Sequence, residues 1–486
     1  MVALIAGATC ALSAWTATAS ASPVIVLGPG GHAAVRNDPF LTTPAVTPVP
    51  LGAARVRTAT ARRPLARASA VDRNVRTELA RLRRTHAIST SDYRRYLGSF
   101  NAALSTVKRL GGTRAIELES VIQNVHAIAA AGLLTPSRLP ALFLTLDSNR
   151  TWWTTGPLLG ADQRVEFAGS QLVWQYYPGQ GLELQVLGSF GKANGLYTAG
   201  ASQWGNFRRL LSELIPLAAK RAGGLAWEYY FQFDGGLPPW TSAMSQGTAL
   251  DALSRGYKAF GDSNYLEIGQ RALPIFSARP PLGVGVRTPR GTRYLLYSFA
   301  PGAAVINGFL QTLVGLYDFA QVSGSATAAG LFAAGNAEAR AELPAYDTGA
   351  WSLYEPGQED TLGYHELVTG FLHELCDRVH APVYCTTAAH FDSYLKTPPA
   401  LQLLTGRARA NKPATLLFHL SKVSHVGIVV SYNGQTVFLT SADFGYGTDA
   451  FYLPRLGQPG SYTIRLAATD LAGNFNRIVG TIQVSR

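Results

Sequence analysis

VINGFLQTLVGLY, residues 305–317, sets Val305, Ile306, Phe309, Leu310, Leu313, Leu316 and Tyr317 at three-four spacing, one apolar stripe of an amphipathic helix. Asn307-Gly308 gives this helix a small face for close approach. ATAAGLFAAGNAEARAEL, 326–343, is a second helix, and its short connector forces an antiparallel return. Pro344 stops it. YHELVTGFLHELCDRV, 364–379, is a third, with Leu367, Val368, Phe371, Leu372, Leu375, Cys376 and Val379 inward. The loop RYLLYSFAPG before the first helix and AYDTGAWSLYEP after the second therefore share one end, where the third helix also starts. This topology puts Tyr297, Tyr346 and Tyr364 at one rim, beside Asp347, Thr348, Gly349 and His365. Such a rim is a polar, aromatic cleft of the kind that binds sugar rings.

Working outward, residues 201–400 repeat helical segments of this type without a strict repeat, which predicts an α/α hairpin array or toroid over 150–400. Residues 150–200 hold turns and β-formers, a short β element leading into that array. Residues 71–147 read as a basic helical segment, and 22–70 as a flexible Ala/Pro/Arg-rich linker. The apolar stretch 1–21 ends in Ala19-Ser20-Ala21, a signal-peptidase pattern without the usual positive start, so the chain is expected to be exported. After Pro398-Pro399, short alternating strands separated by Asn-Gly and Pro-Gly turns predict an immunoglobulin-like β-sandwich over 408–486. The fold class is thus multidomain and mainly α. Loss of Cys10 with the signal peptide leaves Cys376 and Cys385, nine apart, read as one disulfide.

Of 486 residues, 47% are hydrophobic, enough for a large core, which excludes a mainly disordered chain. The net charge of +12 is local, since 55–109 holds 14 Lys/Arg against 3 Asp/Glu. An anionic cell-envelope polymer or membrane surface fits that segment better than intracellular nucleic acid, with a solvated Arg-rich linker as the plain alternative.

The same residues resemble the D-glucuronyl C5-epimerase family, which acts on heparosan-type glycans. The resemblance runs through Tyr297, Asn307-Gly308-Phe309, Leu316-Tyr317-Asp318, Tyr346-Asp347-Thr348-Gly349 and Tyr364-His365. Upstream it includes Ser242-Ala243-Met244-Ser245-Gln246-Gly247 and the stretch Gln175–Tyr197. It implies an incomplete α/α toroid, with Tyr297, Tyr346 and Tyr364 as catalytic groups and a uronate-containing anionic polysaccharide as substrate. The animal enzymes carry an acidic residue just before the first tyrosine, where this chain has Leu296.

Epimerisation removes the proton alpha to a carboxylate and returns one to the opposite face, so the site must stabilise a dianionic intermediate. Tyrosine is a poor base unless a cation stabilises its phenolate. Arg293, His365 and Lys192 are the candidate cations, and Asp347, Asn194, Tyr176, Gln180 and Gln246 are further candidate substrate contacts. The scheme needs no metal and no cofactor. The same carbanion could instead lead to β-elimination by a polysaccharide lyase. A hydrolase would need two carboxylates, for which Glu228, Asp234, Asp251 and Glu355 are available but unpaired by spacing. Leu296 favours a third class, a non-catalytic envelope glycan-binding protein.

Overall fold

The structure, a computed structural model, describes residues 22–41 and 68–486. The expected signal peptide and most of the expected linker lie outside the described residues. The remainder of that linker is not one. Ser-Pro-Val-Ile-Val-Leu forms β1 (Ser22–Leu27), which pairs with β2 (Ala33–Asp38) in a hairpin and runs parallel to β3 (Arg164–Phe167). With β4 (Trp174–Tyr177) and β5 (Gly181–Leu184) they make one five-stranded sheet, ordered β2-β1-β3-β4-β5. Val24, Leu41 and Val173 bury together and anchor the hairpin.

Four helices, α1 (Ala68–Arg84), α2 (Thr90–Val107), α3 (Gly112–Ala130) and α4 (Leu139–Thr155), bundle against one face of this sheet. Glu117 of α3 clamps the β4–β5 turn, accepting from Tyr176 Oη (2.9 Å) and from the N–H groups of Gly179 (2.9 Å) and Gly181 (3.0 Å).

The central region is helical: α5 (Val186–Thr198), α6 (Trp204–Leu214), α7 (Ala243–Phe260), α8 (Asn264–Ala272), the one-turn α9 (Pro274–Ser277), α10 (Ile306–Ser323), α11 (Ala326–Glu342), α12 (Leu362–Val379) and α13 (Pro382–Tyr394). Short hairpins interrupt it: β6–β7 (Ala219–Arg221, Gly224–Ala226), β8–β9 (Gly285–Arg287, Thr292–Tyr294) and β10–β11 (Leu353–Glu355, Gln358–Glu359). α10 sits centrally, packed on α7, α11 and α12. The α10–α11 connection is tight because Gly324 takes φ +65° at the end of α10. Cys376 and Cys385 are bonded, tying α12 to α13.

The C-terminal region is β-rich, with β12 (Leu401–Leu403), β13 (Arg407–Arg409), β14 (Ala414–Leu420), β15 (Ser424–Tyr432), β16 (Gln435–Phe444), β17 (Gly447–Leu453), β18 (Gly460–Asp470) and β19 (Phe475–Ser485). They form two sheets, β12-β14-β17 and β13-β19-β18-β15-β16. Alternate residues of both, including Leu416, Phe418, Ile428 and Ile464, share one core. Among the described residues no helix is long and apolar enough to cross a membrane.

Candidate active site

Tyr297 follows β9 on a segment clipped to the start of α7, where Ala243 N–H donates to Leu295 C=O (3.0 Å) and Ser298 N–H to Thr241 C=O (2.9 Å). Its ring lies among Phe233, Trp240 and Phe299, with centroids 5.5, 5.8 and 5.4 Å away. Tyr364 occupies the first turn of α12, capped by Thr361. Between them stands Tyr354 of β10, its ring 4.9 Å from that of Tyr364. Tyr354 is fully buried, and its Oη lies among the phenols of Tyr297 and Tyr364. Burial first, and then the neighbouring phenols of Tyr354 and Tyr364, push Tyr297 well above the ordinary phenol value of 10. Burial and Tyr354 push Tyr364 up in the same way. All three are therefore neutral hydrogen-bond donors near neutral pH.

Tyr346 does not join them. It ends the short turn Leu343–Tyr346, and its Oη donates to Ala304 C=O (2.7 Å). After burial, the charged groups that act on it most are Glu342 and Arg293. The intervening Asp347-Thr348-Gly349 reverses the chain: Gly349 takes φ +84° and donates to Asp347 Oδ1 (2.8 Å), and Thr348 N–H donates to Trp351 C=O (3.0 Å). That turn delivers Tyr354, eight residues after Tyr346, to the cluster. Sequence reasoning missed it although it lies in the quoted loop.

Every cation nominated from the sequence is engaged. Lys192 is buried between Asp38 (3.0 Å) and Glu166 (2.6 Å). Arg293 donates from Nε (2.9 Å) and Nη2 to Glu342. His365 is fully buried and stacked on Trp351 at 3.9 Å, with Nε2 3.0 Å from Phe391 C=O and Nδ1 2.7 Å from Ser352 Oγ. Burial above all lowers it to about 4, so it is neutral and structural.

Of the remaining candidates, Tyr176 donates to Glu117 and Gln246 is spent on Trp227 and Thr241. Gln180 Oε1 accepts from Asn124 (3.2 Å) and Gln232 N–H (3.2 Å). Asp347 also accepts from Tyr394 Oη (2.8 Å) and lies 3.0 Å from His390 Nδ1. Asn194 Nδ2 donates to Thr248 C=O (3.2 Å), with Oδ1 buried and unpartnered. Leu296 packs against the Val305, Tyr354 and Tyr364 cluster, so an apolar side chain faces the phenols where the resembled enzymes place an acid.

The chain thus joins a helical centre, whose loops gather three phenols, to a β-rich C-terminal region. Residues 223–393 match the family model described as D-glucuronyl C5-epimerase C-terminus, and at low identity this segment falls in that family. D-glucuronyl C5-epimerase of Caenorhabditis elegans is 37% identical over 134 residues, 24% of this chain and 22% of that protein. The uncharacterized protein MJ1128 of Methanocaldococcus jannaschii is 30% identical over 152 residues, 29% of this chain and 49% of that one. The chain therefore spans half or less of these curated relatives. Among solved structures, a sugar epimerase from a ruminal bacterium is 16% identical with a TM-score of 0.31, over 43% of this chain and 57% of that one. A GH76 alpha-mannanase of Bacteroides thetaiotaomicron is 11% identical with a TM-score of 0.35, over 62% and 84%.

Proposed function

We propose that this protein is an isomerase that inverts uronic acid residues at C5, D-glucuronate to L-iduronate in type, in an extracellular anionic polysaccharide, with the helical array acting as an incomplete α/α toroid. The observation that carries the reading is the phenol cluster: fully buried Tyr354 stands between Tyr297 and Tyr364, on the segment that matches the family. Three phenols gathered at one place form a cluster of donors that a bound carboxylate can share. Neutral phenols suit the intermediate: each can donate to the carboxylate as its second charge develops, and one can return a proton to C5. Tyr354 takes the role that the family resemblance implies for Tyr346. The reaction needs no cofactor.

We read the chain as exported, with its C-terminal sheets as an immunoglobulin-like attachment module. The exposed Arg76, Arg81, Arg83, Arg84, Arg94 and Arg95 of α1 and α2 suit an anionic envelope polymer.

Incubation with heparosan and other uronans in heavy water tests the reaction. Deuterium at C5 of an uncleaved chain is the expected result. Tyr354→Phe is expected to cut exchange at least ~100-fold with heparosan binding retained. Tyr346→Phe is expected to retain exchange and to lose about 1 kcal/mol of stability with its bond to Ala304. No exchange on any uronan would sink the proposal. One observation favours a second reading, a glycan-binding protein without turnover: Leu296 fills the acid's position. Tight uronan binding without exchange would establish it.

A further inference from the structure

The phenols sit within cation-free stretches of a basic protein. The segments that carry them and the rings around them, 165–191, 222–254, 294–339 and 341–377, contain no Lys or Arg, although the chain's net charge is +12. Four cations that bound those segments are held by carboxylates: Lys192 by Asp38 and Glu166, Arg221 by Glu228, Arg293 by Glu342 and Arg378 by Asp318. After burial, the groups that act most on Tyr297, Tyr354 and Tyr364 are one another, Tyr177, Glu355 and Asp360, with no cation among them. Phenol donors can meet the one carboxylate of a reacting uronate. A second anion beside it would give up its water for no countercharge.

Beside Tyr297 stands a hairpin that runs from Tyr229 to Trp240. Its turn is Asp234-Gly235, with φ of +43° and +81°, the two left-handed residues of a tight type I′ turn. Phe233 N–H donates to Gly236 C=O (3.1 Å), and Gly236 N–H donates back to Phe233 C=O (2.7 Å). A Cβ on Gly236 would stand 2.4 Å from the Phe299 ring, so the tip seats there only as glycine. Phe231 and Trp240 of the hairpin are buried, whereas Phe233, last before the turn, is half-buried, as is Phe299. The rings of Phe233 and Phe299 flank that of Tyr297, at 5.5 and 5.4 Å. The hairpin's one charged residue, Asp234, is negative.

Resting on the epimerase reading, we infer that Phe233 and Phe299 form an uncharged shelf for the sugar next to the reacting uronate, and that this sugar is neutral. The substrate class is then an alternating polymer of uronate and an uncharged sugar such as an N-acetylhexosamine, not a sulfated chain or a run of uronates. One face of a pyranose presents C–H groups, which pack on an aromatic ring without needing a hydrogen bond. Phe233 is the specificity-determining residue of the shelf. Its tight turn holds it in place before binding, so little freedom is lost when the sugar arrives. A sulfamate or second carboxylate at that place would meet the negative faces of two phenyl rings and the Asp234 carboxylate. No Lys or Arg of the surrounding segments is there to offset them.

Steady-state C5 exchange by the full-length protein tests this on size-matched heparosan, N-sulfated heparosan and a glucuronate homopolymer at one ionic strength. kcat/KM on heparosan is expected to exceed that on the other two at least ~10-fold. Phe233→Ala is expected to raise KM for heparosan ~5–10-fold with kcat within ~3-fold of wild type, and Phe233→Tyr, which keeps the ring, to stay near wild type. Equal kcat/KM on heparosan and N-sulfated heparosan, or an unmoved KM in Phe233→Ala, overturns the inference while the epimerase reading stands. If the wild-type protein exchanges no uronan, the epimerase reading falls, and calorimetric binding of the same three polymers decides the shelf. A preference for heparosan that Phe233→Ala abolishes then sustains it, and equal binding of the three overturns it as well.

Discussion

Ser352 Oγ has one proton and two acceptors, His365 Nδ1 at 2.7 Å and Asp360 Oδ2 at 2.5 Å. It can serve one at a time, so the charge states of the two flanking groups are linked to the support beneath Tyr354. Burial pushes Asp360 from 3.8 up to about 7 and lowers His365 from 6.5 to about 4. The signs oppose. The Asp360 contribution is fully present below its unfolded value near 4 and is lost as pH rises through about 7. The His365 contribution is present above 6.5 and is lost as pH falls through about 4. Each is worth roughly 3–4 kcal/mol between its limits, so from about pH 4 to 6.5 the two cancel. Asp360→Asn removes one slope. Its urea midpoint is expected to climb with pH across that window, while His365→Gln is expected to fall from about pH 4 to 7. A flat profile in either variant would show that the pair is not buried as drawn. His365 was legible in the sequence as a histidine at a helix start, but its neighbours Trp351 and Phe391 are not: stacking and burial come from loops that no local pattern foretells.

Helices α7 and α10 cross where both carry glycine. A Cβ on Gly315 would stand 2.0 Å from Gly247 O, and one on Gly247 would stand 2.7 Å from Thr312 Cα. Backbone contact this close sets the height of α10, and with it the loops bearing Tyr297 and Tyr364. Gly330 of α11 is exposed, and a Cβ there would meet nothing within 4 Å. Gly315→Ala is expected to cost about 3 kcal/mol or more in urea unfolding, whereas Gly330→Ala is expected to gain about 0.5–1 kcal/mol. Equal effects would mean that the crossing is looser than the backbone distances say. The helices themselves were readable, because three-four spacing is a local signal that survives whatever the helix packs on. β1 was not. Its run Val24-Ile25-Val26-Leu27 is short and flanked by Pro and Gly, and its parallel partner β3 lies about 140 residues away in sequence. Tyr354 was hidden for a related reason. No local pattern marks it, because the reversal at Gly349 is what brings it beside Tyr364.

At the scale of the molecule, the C-terminal sheets brace the helical centre through one buried cation. Lys422, 1% exposed, pairs with Asp470 (2.6 Å) and donates to the carbonyls of Tyr394 (2.7 Å) and Thr397 (2.5 Å) at the end of α13. Beside it, Glu359 of β11 accepts from the N–H groups of Val423 and Tyr446, both at 2.8 Å. The hairpin that carries Tyr354 is thus held from outside the family-matched segment. A buried pair broken on one side costs about 3–5 kcal/mol, because the partner charge stays desolvated. Lys422→Met is expected to lower stability by that amount, and the double variant Lys422→Met, Asp470→Asn to recover much of it. Since the β10–β11 hairpin loses its brace, the single variant is also expected to slow C5 exchange although no phenol is touched. Calorimetry separates the possibilities: one transition moving down as a whole means that the sheets and helices unfold as a unit, and a separate early transition means that the sheets detach first. If Lys422→Met melts and exchanges like wild type, the C-terminal unit is a passenger, and the placement of Tyr354 belongs to the helical array alone.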